Sequence, residues 1–120
     1  MGDFKKHLDI AKEKLDAVLS AYKKRQYTVV GDLATKVIEQ LVEADASEEG
    51  KHFGDHISRH HFANQNYSKE VNTSMRKVWF AYGDLGYDGV NGKRTKMVME
   101  NLRKVVKYFE TKFGARLWQT

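Results

Sequence analysis

The sequence contains no cysteine and no proline. Without cysteine there is no disulfide framework, no thiolate ligand for zinc and no cysteine nucleophile. Without proline, no helix is interrupted from within. No apolar run approaches the roughly 20 residues that span a bilayer, and the start, Met1–Lys6, has no apolar signal segment behind it. These absences predict a cytoplasmic protein with no membrane association.

The composition of the 120 residues is that of an ordinary folded domain. Hydrophobic residues make up 41% of the chain, which is enough to build a core without disulfides or a metal. The length is close to the common size of one domain. We therefore expect a single domain spanning residues 1–120.

Apolar residues recur at spacings of three and four, which predicts helices throughout. Four amphipathic segments show this pattern: Phe4 to Tyr22, Thr28 to Val42, Ser68 to Leu85 and Lys93 to Phe113. The link around Gln26-Tyr27 is very short, so the first two helices should pack antiparallel. The sequence thus predicts an all-α, antiparallel up-and-down four-helix bundle. The long connection Ser47–Tyr67, between the second and third of these helices, should contain a short helix of its own.

Several single residues sharpen this prediction. Ser68 is suited to cap the start of the third segment, and Gly114 to end the last one. Trp79 and Phe80 lie off the main apolar stripe, so one or both should be exposed, as at a dimer interface. Trp118 should fold back onto the bundle or onto a second copy.

Four of the five histidines fall within residues 52–61. His52, His56 and His60 are spaced i, i+4, i+8, so a continuous helix would place them on one stripe. Such a stripe can chelate Zn²⁺ or Ni²⁺, with Asp55 near enough to add an oxygen ligand. Two alternatives remain, namely imidazoles that serve only the packing and a pH-sensitive patch. No other cofactor is expected.

Positive charge is concentrated near the end of the chain. From Asn91 onward, eight Lys and Arg residues face only Glu100 and Glu110, a local balance of +6 within a total net charge of +5. Such a surface can attract phosphate or an acidic partner. It can equally be the solvated face of a helix.

The order of these features resembles the HEPN superfamily of prokaryotic four-helix bundles, in particular its small stand-alone members. A helical hairpin leads to Lys51-His52-Phe53-Gly54-Asp55-His56 and then to an anchor at Phe62. A helix opening with Tyr67-Ser68-Lys69-Glu70 then ends in Tyr82-Gly83-Asp84-Leu85-Gly86-Tyr87-Asp88, before the final helix. The resemblance implies a homodimer that acts as a metal-independent endoribonuclease, as a toxin, or as the partner of a nucleotidyltransferase.

The chain departs from that superfamily at the catalytic pair. Its ribonucleases carry an Arg followed four to six residues later by a His, and no Arg in this sequence has a His at that distance. We therefore expect a non-catalytic binding module for a nucleotide, RNA or a partner protein. The alternative is an RNA-cleaving enzyme with a substitute acid–base pair, drawn from His56, Arg59, His60 and His61.

Candidate ligand contacts come from two sources. The resemblance points to the turn that contains Asp84, Tyr87 and Asp88, because a Tyr after an acidic residue borders the central cleft in related bundles. A simple turn anchor is the alternative. The basic segment that follows adds candidates for binding phosphate: Lys93, Arg94 and Lys96.

Overall fold

The computed structural model describes residues 2–85 and 92–118, with side chains for 3–81, 92 and 94–118. All regular secondary structure within these ranges is helical. The five helices are α1 (Gly2–Lys23), α2 (Tyr27–Ser47), α3 (His56–Asn66), α4 (Lys69–Leu85) and α5 (Lys93–Phe113). The all-α prediction is confirmed, and α3 lies inside the connection Ser47–Tyr67.

Side-chain contacts give the direction of α1 and α5 relative to α2. Near one end His7 bonds Gln40, and at the other the rings of Tyr22 and Tyr27 approach to 6.3 Å, so α1 and α2 are antiparallel as predicted. Lys112 near the end of α5 bonds Asp45 near the end of α2. At the start of α5, a Cβ on Gly92 would lie 2.9 Å from the Tyr27 ring. The helices α2 and α5 therefore run in the same direction.

Tyr67, just before α4, fixes where that helix begins. Its hydroxyl bonds Asp45 near the end of α2, and its ring meets Phe109 edge-on near the end of α5. Buried Asn72 holds the turn from α3 to α4 by donating to the carbonyls of Ala63 and Ser68, at 2.9 and 3.1 Å. It follows that α4 starts where α2 and α5 end.

One hydrophobic cluster unites the helices. The helix at its centre is α2, which packs against α1, α3, α4 and α5. At one end, Phe4 of α1 meets Phe113 of α5 edge-on, with ring centroids 4.9 Å apart. The short helix α3 contributes only Phe62 and Ala63 as buried residues. Apolar packing therefore holds α3 less firmly than the longer helices.

The predicted caps, the exposure of Phe80 and the return of Trp118 onto the core are confirmed, while the dimer interface stays a prediction. The Ser68 hydroxyl accepts a hydrogen bond from the Val71 amide, and Gly114 ends α5 at a φ of 64°. Phe80 is 76% exposed. Trp118 is half-buried against the core, so the chain after α5 folds back. None of the helices in the described ranges has both the length and the apolar character that crossing a membrane requires.

Candidate binding site on the second helix

Three polar residues are buried along one face of α2. Thr35, Glu39 and Glu43 are spaced i, i+4, i+8 and together form what we call the polar stripe. They are only 4, 5 and 2% exposed, although the helix around them is mainly apolar. A buried carboxylate costs several kcal/mol unless other groups compensate its charge and accept its hydrogen bonds. The residues around the polar stripe therefore determine how its two carboxylates are stabilised.

Arg59 of α3 provides most of that compensation. Its Nε lies 2.8 Å from Oε2 of Glu43, and its Nη1 lies 3.2 Å from Oε2 of Glu39. The guanidinium therefore bridges two carboxylates with its planar array of donors. The second oxygen of Glu43 accepts a hydrogen bond from the Phe53 amide at 3.0 Å.

Local sequence explains how Arg59 reaches the stripe. Asp55 caps α3, accepting bonds from the amide and hydroxyl of Ser58 at 2.7 and 3.0 Å. These bonds, the one from the backbone first, lower the pKa of Asp55. Phe62 and Ala63 then bury their side of the helix. The cap and this apolar contact together set the rotation of α3 that turns Arg59 inward.

A cavity of about 280 Å³ opens beside the first half of the stripe, between α2, α3 and α4. We call it the stripe cavity; its lining residues are Thr35, Lys36, Glu39, His56, His60, Trp79 and Phe80. Three buried polar atoms on these residues have no hydrogen-bond partner within the described part of the chain: Thr35 Oγ1, Glu39 Oε1 and Trp79 Nε1. His56 Nδ1 lies 3.3 Å from Glu39 Oε1, but without the alignment of a hydrogen bond.

His60 and Trp79 form the aromatic wall of the stripe cavity. Their rings stack with centroids 3.8 Å apart and planes 23° from parallel. Burial, assisted by positive charge at His56 and Arg59, lowers the pKa of His60 below its usual value, although Glu39 acts in the opposite direction. A neutral imidazole has one donor and one acceptor nitrogen. The wall therefore presents both kinds of hydrogen-bonding group to a ligand.

The candidate metal ligands His52, His56 and His60 do not share one helix, because α3 begins only at His56. His52 lies against the first two helices, where its ring stacks on His7 with centroids 5.7 Å apart. His56 and His60 remain neighbours on α3, with ring centroids 6.4 Å apart.

His61, the other candidate for acid–base chemistry, faces a different cavity. It lines a space of about 390 Å³ together with Phe53 and Ile57. The four candidates His56, Arg59, His60 and His61 are therefore divided. The first three surround Glu39, and the last lies apart from it.

The candidate phosphate site lies partly outside the described residues. Tyr87 and Asp88 fall outside them altogether, and so do the side chains of Asp84 and Lys93. Arg94 and Lys96 are exposed in the first turn of α5.

A different basic surface lies further along α5. Arg103, Lys107 and Arg116 line an open cavity of about 480 Å³, which we call the basic groove. The Arg103 guanidinium lies 5.2 Å from the centre of the Trp118 ring. Glu110 holds the end of the chain in place by accepting bonds from the amides of Leu117 and Trp118.

A third buried carboxylate on α2, Asp45, has well-defined partners. It accepts hydrogen bonds from the Tyr67 hydroxyl at 2.6 Å and from the Lys112 ammonium at 3.0 Å. Burial, together with the bond to Asp45, raises the pKa of Tyr67 far above its usual value. For Lys112, burial opposes the charge, but the hydrogen bond and attraction of Asp45 prevail and raise its pKa.

Reasoning from the sequence missed the polar stripe and the role of Trp79 beside it. Thr35, Glu39 and Glu43 repeat at i, i+4, i+8 among the apolar residues of the segment Val30–Ala46. That repeat was the available signal, because a carboxylate that a helix buries requires a partner.

No family model matches the chain, and no curated protein or solved structure is significantly similar to it.

Proposed function

We propose that the protein is a non-catalytic binding module that holds the flat, nitrogen-rich base of a nucleotide in the stripe cavity. One observation carries the proposal. Three buried polar atoms without hydrogen-bond partners among the described residues, Thr35 Oγ1, Glu39 Oε1 and Trp79 Nε1, belong to residues of two helices that line one cavity. An unpaired buried polar atom costs about 1–3 kcal/mol. A ligand that pairs all three recovers that cost on binding.

The chemistry of the lining residues favours a base. Glu39 Oε1 can only accept, so it selects N–H groups, whereas Trp79 Nε1 can only donate and selects a ring nitrogen or carbonyl. Thr35 can do either. A nucleobase carries both kinds of group on one edge, and its faces can stack on an exposed aromatic ring. Phe80, 76% exposed and part of the cavity lining, offers such a ring.

Lys36 is the residue that we expect to contact the phosphate of the nucleotide. It lines the stripe cavity with a side chain that is 51% exposed, and its ammonium lies 3.9 Å from Glu39. A phosphate attached to a bound base would reach solvent on this side, where a Lys acts as a point charge. A cavity of about 280 Å³ lies near the lower limit of small-molecule sites, which suits one base.

The RNA-cleaving alternative receives less support from the same residues. The Arg59 guanidinium is committed to Glu39 and Glu43 and its side chain is only 12% exposed, so it is poorly placed to meet a scissile phosphate. A substitute acid–base pair would have to come from His56 and His60, both beside an anionic carboxylate that repels phosphate.

The proposal includes a scaffold and an assembly. We propose that α1, α2, α4 and α5 form an antiparallel up-and-down four-helix bundle, with α3 attached beside α2, in keeping with the resemblance to the HEPN superfamily. We also propose a homodimer. Two large apolar side chains support self-association, since Ile57 is 82% and Phe80 is 76% exposed.

Titration calorimetry with the four ribonucleoside monophosphates, their nucleosides and ribose 5-phosphate tests the proposal. We expect at least one nucleotide and its nucleoside to bind, and ribose 5-phosphate not to bind. Thr35→Val should weaken binding about fivefold, the equivalent of one buried hydrogen bond. The same variant should be as stable as wild type or more so, because it removes a hydroxyl that has no hydrogen-bond partner among the described residues.

Glu39→Gln and Glu43→Gln form a matched pair of variants. Both remove one carboxylate from Arg59, but only Glu39 lines the stripe cavity. We expect only Glu39→Gln to weaken the binding of a base. Light scattering on the same samples reports whether the protein is a dimer and whether the ligand changes its mass.

Two outcomes would count against the proposal. The first is the absence of binding by every base-containing compound at low salt. The second is wild-type affinity in both Thr35→Val and Glu39→Gln. A third outcome concerns RNA. If a short RNA binds with strong salt dependence, and if Arg103→Ala and Lys107→Ala abolish this binding, the basic groove is the binding site instead.

A further inference from the structure

A histidine from α1, a glutamate from α2 and a histidine from the following connection meet at one place. One ligand atom each from His7, Glu43 and His52 lies within 4.8 Å of the other two. His7 and Glu43 are buried, whereas the His52 side chain is 74% exposed. The histidine spacing in the sequence did not indicate this cluster, because it joins residues that are far apart along the chain.

The inner imidazole is already oriented as a ligand. Nδ1 of His7 lies 2.8 Å from Oε1 of Gln40. An amide oxygen only accepts hydrogen bonds, so Nδ1 carries the proton, and the lone pair of the neutral ring is on Nε2. Metal-binding histidines are commonly fixed in this way, by a bond from the other ring nitrogen to an oxygen acceptor.

The carboxylate divides its two oxygens between protein and cluster. Oε2 of Glu43 is held by Arg59, while Oε1 accepts the bond from the Phe53 amide, lies 3.7 Å from His52 Nδ1 and keeps a second lone pair for an ion. In tetrahedral zinc coordination, ligand atoms are about 3.3 Å apart, given zinc–ligand distances near 2.0–2.1 Å. This pair is therefore already close to the required spacing. The exposed His52 can move to close the remaining distance to His7.

The local charge also favours a cation. Glu39 and Glu43 bring two negative charges to the polar stripe, and Arg59 offsets one of them. Lys36 is a second nearby cation, but its side chain is half exposed and its ammonium lies 3.9 Å from the Glu39 carboxylate. One negative charge is thus left beside the imidazoles of His7 and His52, and a divalent ion with nitrogen and oxygen ligands is stabilised in such an environment.

We propose that His7, Glu43 and His52 bind one divalent transition-metal ion of the zinc class. The fourth coordination position opens to solvent beside His52. Bound there, the ion ties the connection 48–55 to both helices of the α1–α2 hairpin. This site differs from the stripe of His52, His56 and His60 that the sequence suggested, and it does not depend on the nucleotide proposal.

Calorimetry with Zn²⁺ on the chelator-treated protein tests the assignment, alongside thermal unfolding and the visible absorption spectrum of the Co²⁺ form. We expect one ion per chain, a raised melting temperature and a cobalt spectrum typical of nitrogen and oxygen ligands. His52→Ala should weaken binding about tenfold or more. The His52 side chain is 74% exposed, so this substitution leaves the core intact.

His56→Ala is the matched control, because it removes an equally exposed histidine from the same segment. It should bind Zn²⁺ like wild type. A second variant, His7→Gln, should abolish the cobalt spectrum, provided that its circular dichroism matches that of wild type. Thr35→Val should also bind zinc normally, which separates this test from that of the stripe cavity.

Three results would overturn the assignment. One is the absence of stoichiometric binding by wild type. Another is unchanged affinity in His52→Ala. The last is an equal loss of zinc affinity in His52→Ala and His56→Ala, which would assign the ion to His52, His56 and His60 instead.

Discussion

The two kinds of buried surface on α2 differ in what they require of their neighbours. The apolar residues, such as Ile38, Leu41 and Val42, are fully buried in a cluster that helices from most of the chain complete. The polar stripe is as deeply buried, but it depends mainly on one guanidinium, and buried oxygens on Thr35 and Glu39 have no hydrogen-bond partner among the residues that the structure describes. Apolar contacts have no direction, whereas hydrogen bonds and ion pairs require particular atoms at particular positions.

This difference indicates where the sequence serves folding and where it serves something else. Replacing the stripe by apolar residues of similar volume would satisfy the fold and is often stabilising in other proteins. Asp45, on the same helix, shows that this chain can satisfy a buried carboxylate, since Tyr67 and Lys112 both bond it. Incomplete pairing at Glu39 is therefore a local property of the stripe, and we relate it to ligand binding.

The largest expected effect comes from removing the cation of the polar stripe. Arg59→Ala leaves Glu39 and Glu43 buried without their guanidinium and should lower the free energy of unfolding by about 4 kcal/mol. Leu41→Ala, on the apolar side, should cost about 3 kcal/mol through its cavity. Urea unfolding measures both.

A neutral version of the stripe shows whether charge causes that loss. Arg59→Met combined with Glu39→Gln and Glu43→Gln should recover much of the stability that Arg59→Ala loses. A cost below about 1 kcal/mol for Arg59→Ala would mean that water already compensates the two carboxylates, and the contrast with the apolar side would disappear.

A smaller loss is expected at the satisfied carboxylate. Tyr67→Phe keeps the ring contacts but removes the 2.6 Å bond to Asp45, and it should cost about 2 kcal/mol, as for hydrogen bonds to charged groups. Tyr108→Phe is the control, because Tyr108 belongs to the same ring cluster but does not bond Asp45. Equal stability of the two variants would show that Lys112 alone satisfies the carboxylate.

The smallest effect is a dependence of stability on pH through His60. Its pKa in the folded state is lowered by burial, so below about pH 6.5 the unfolded chain binds a proton at this residue more readily than the folded chain. This contribution to stability is therefore lost as the pH falls through that range, and it is small because the ring is only partly buried.

His60→Phe keeps a flat ring beside Trp79 but removes the titrating group. The free energy of unfolding of this variant should fall less than that of wild type between pH 7 and pH 5. His61→Phe, which changes an exposed histidine, should behave like wild type. Parallel pH profiles for wild type and His60→Phe would contradict the lowered pKa.

The helices could be predicted from the sequence because their causes are local. The apolar spacing from Lys93 to Phe113 and the glycine at position 114 gave both ends of α5. The hydroxyl of Ser68 and the short link before Tyr27 worked in the same way at α4 and α2. Each of these signals acts within a few residues, where capping and periodicity decide the structure.

The candidate site could not be predicted in the same way, because its contacts depend on how helices dock. Glu43 and Arg59 are 16 positions apart, and His7 and Glu43 are 36 apart. The regular histidine spacing suggested one helix that carries all three residues. The structure differs because Asp55 caps α3, so this helix begins after His52. The connection that the sequence singled out, Ser47–Tyr67, supplies Arg59, His56 and His60, which lie beside Glu39.

The bridge made by Arg59 also constrains the order of folding. The α1–α2 hairpin has a three-residue link and mainly local contacts, so it can form early. Glu39 and Glu43 cannot leave water cheaply until a guanidinium from the following helix arrives. We therefore expect this part of the hairpin's surface to lose its water only when α3 docks and brings Arg59 to the two carboxylates.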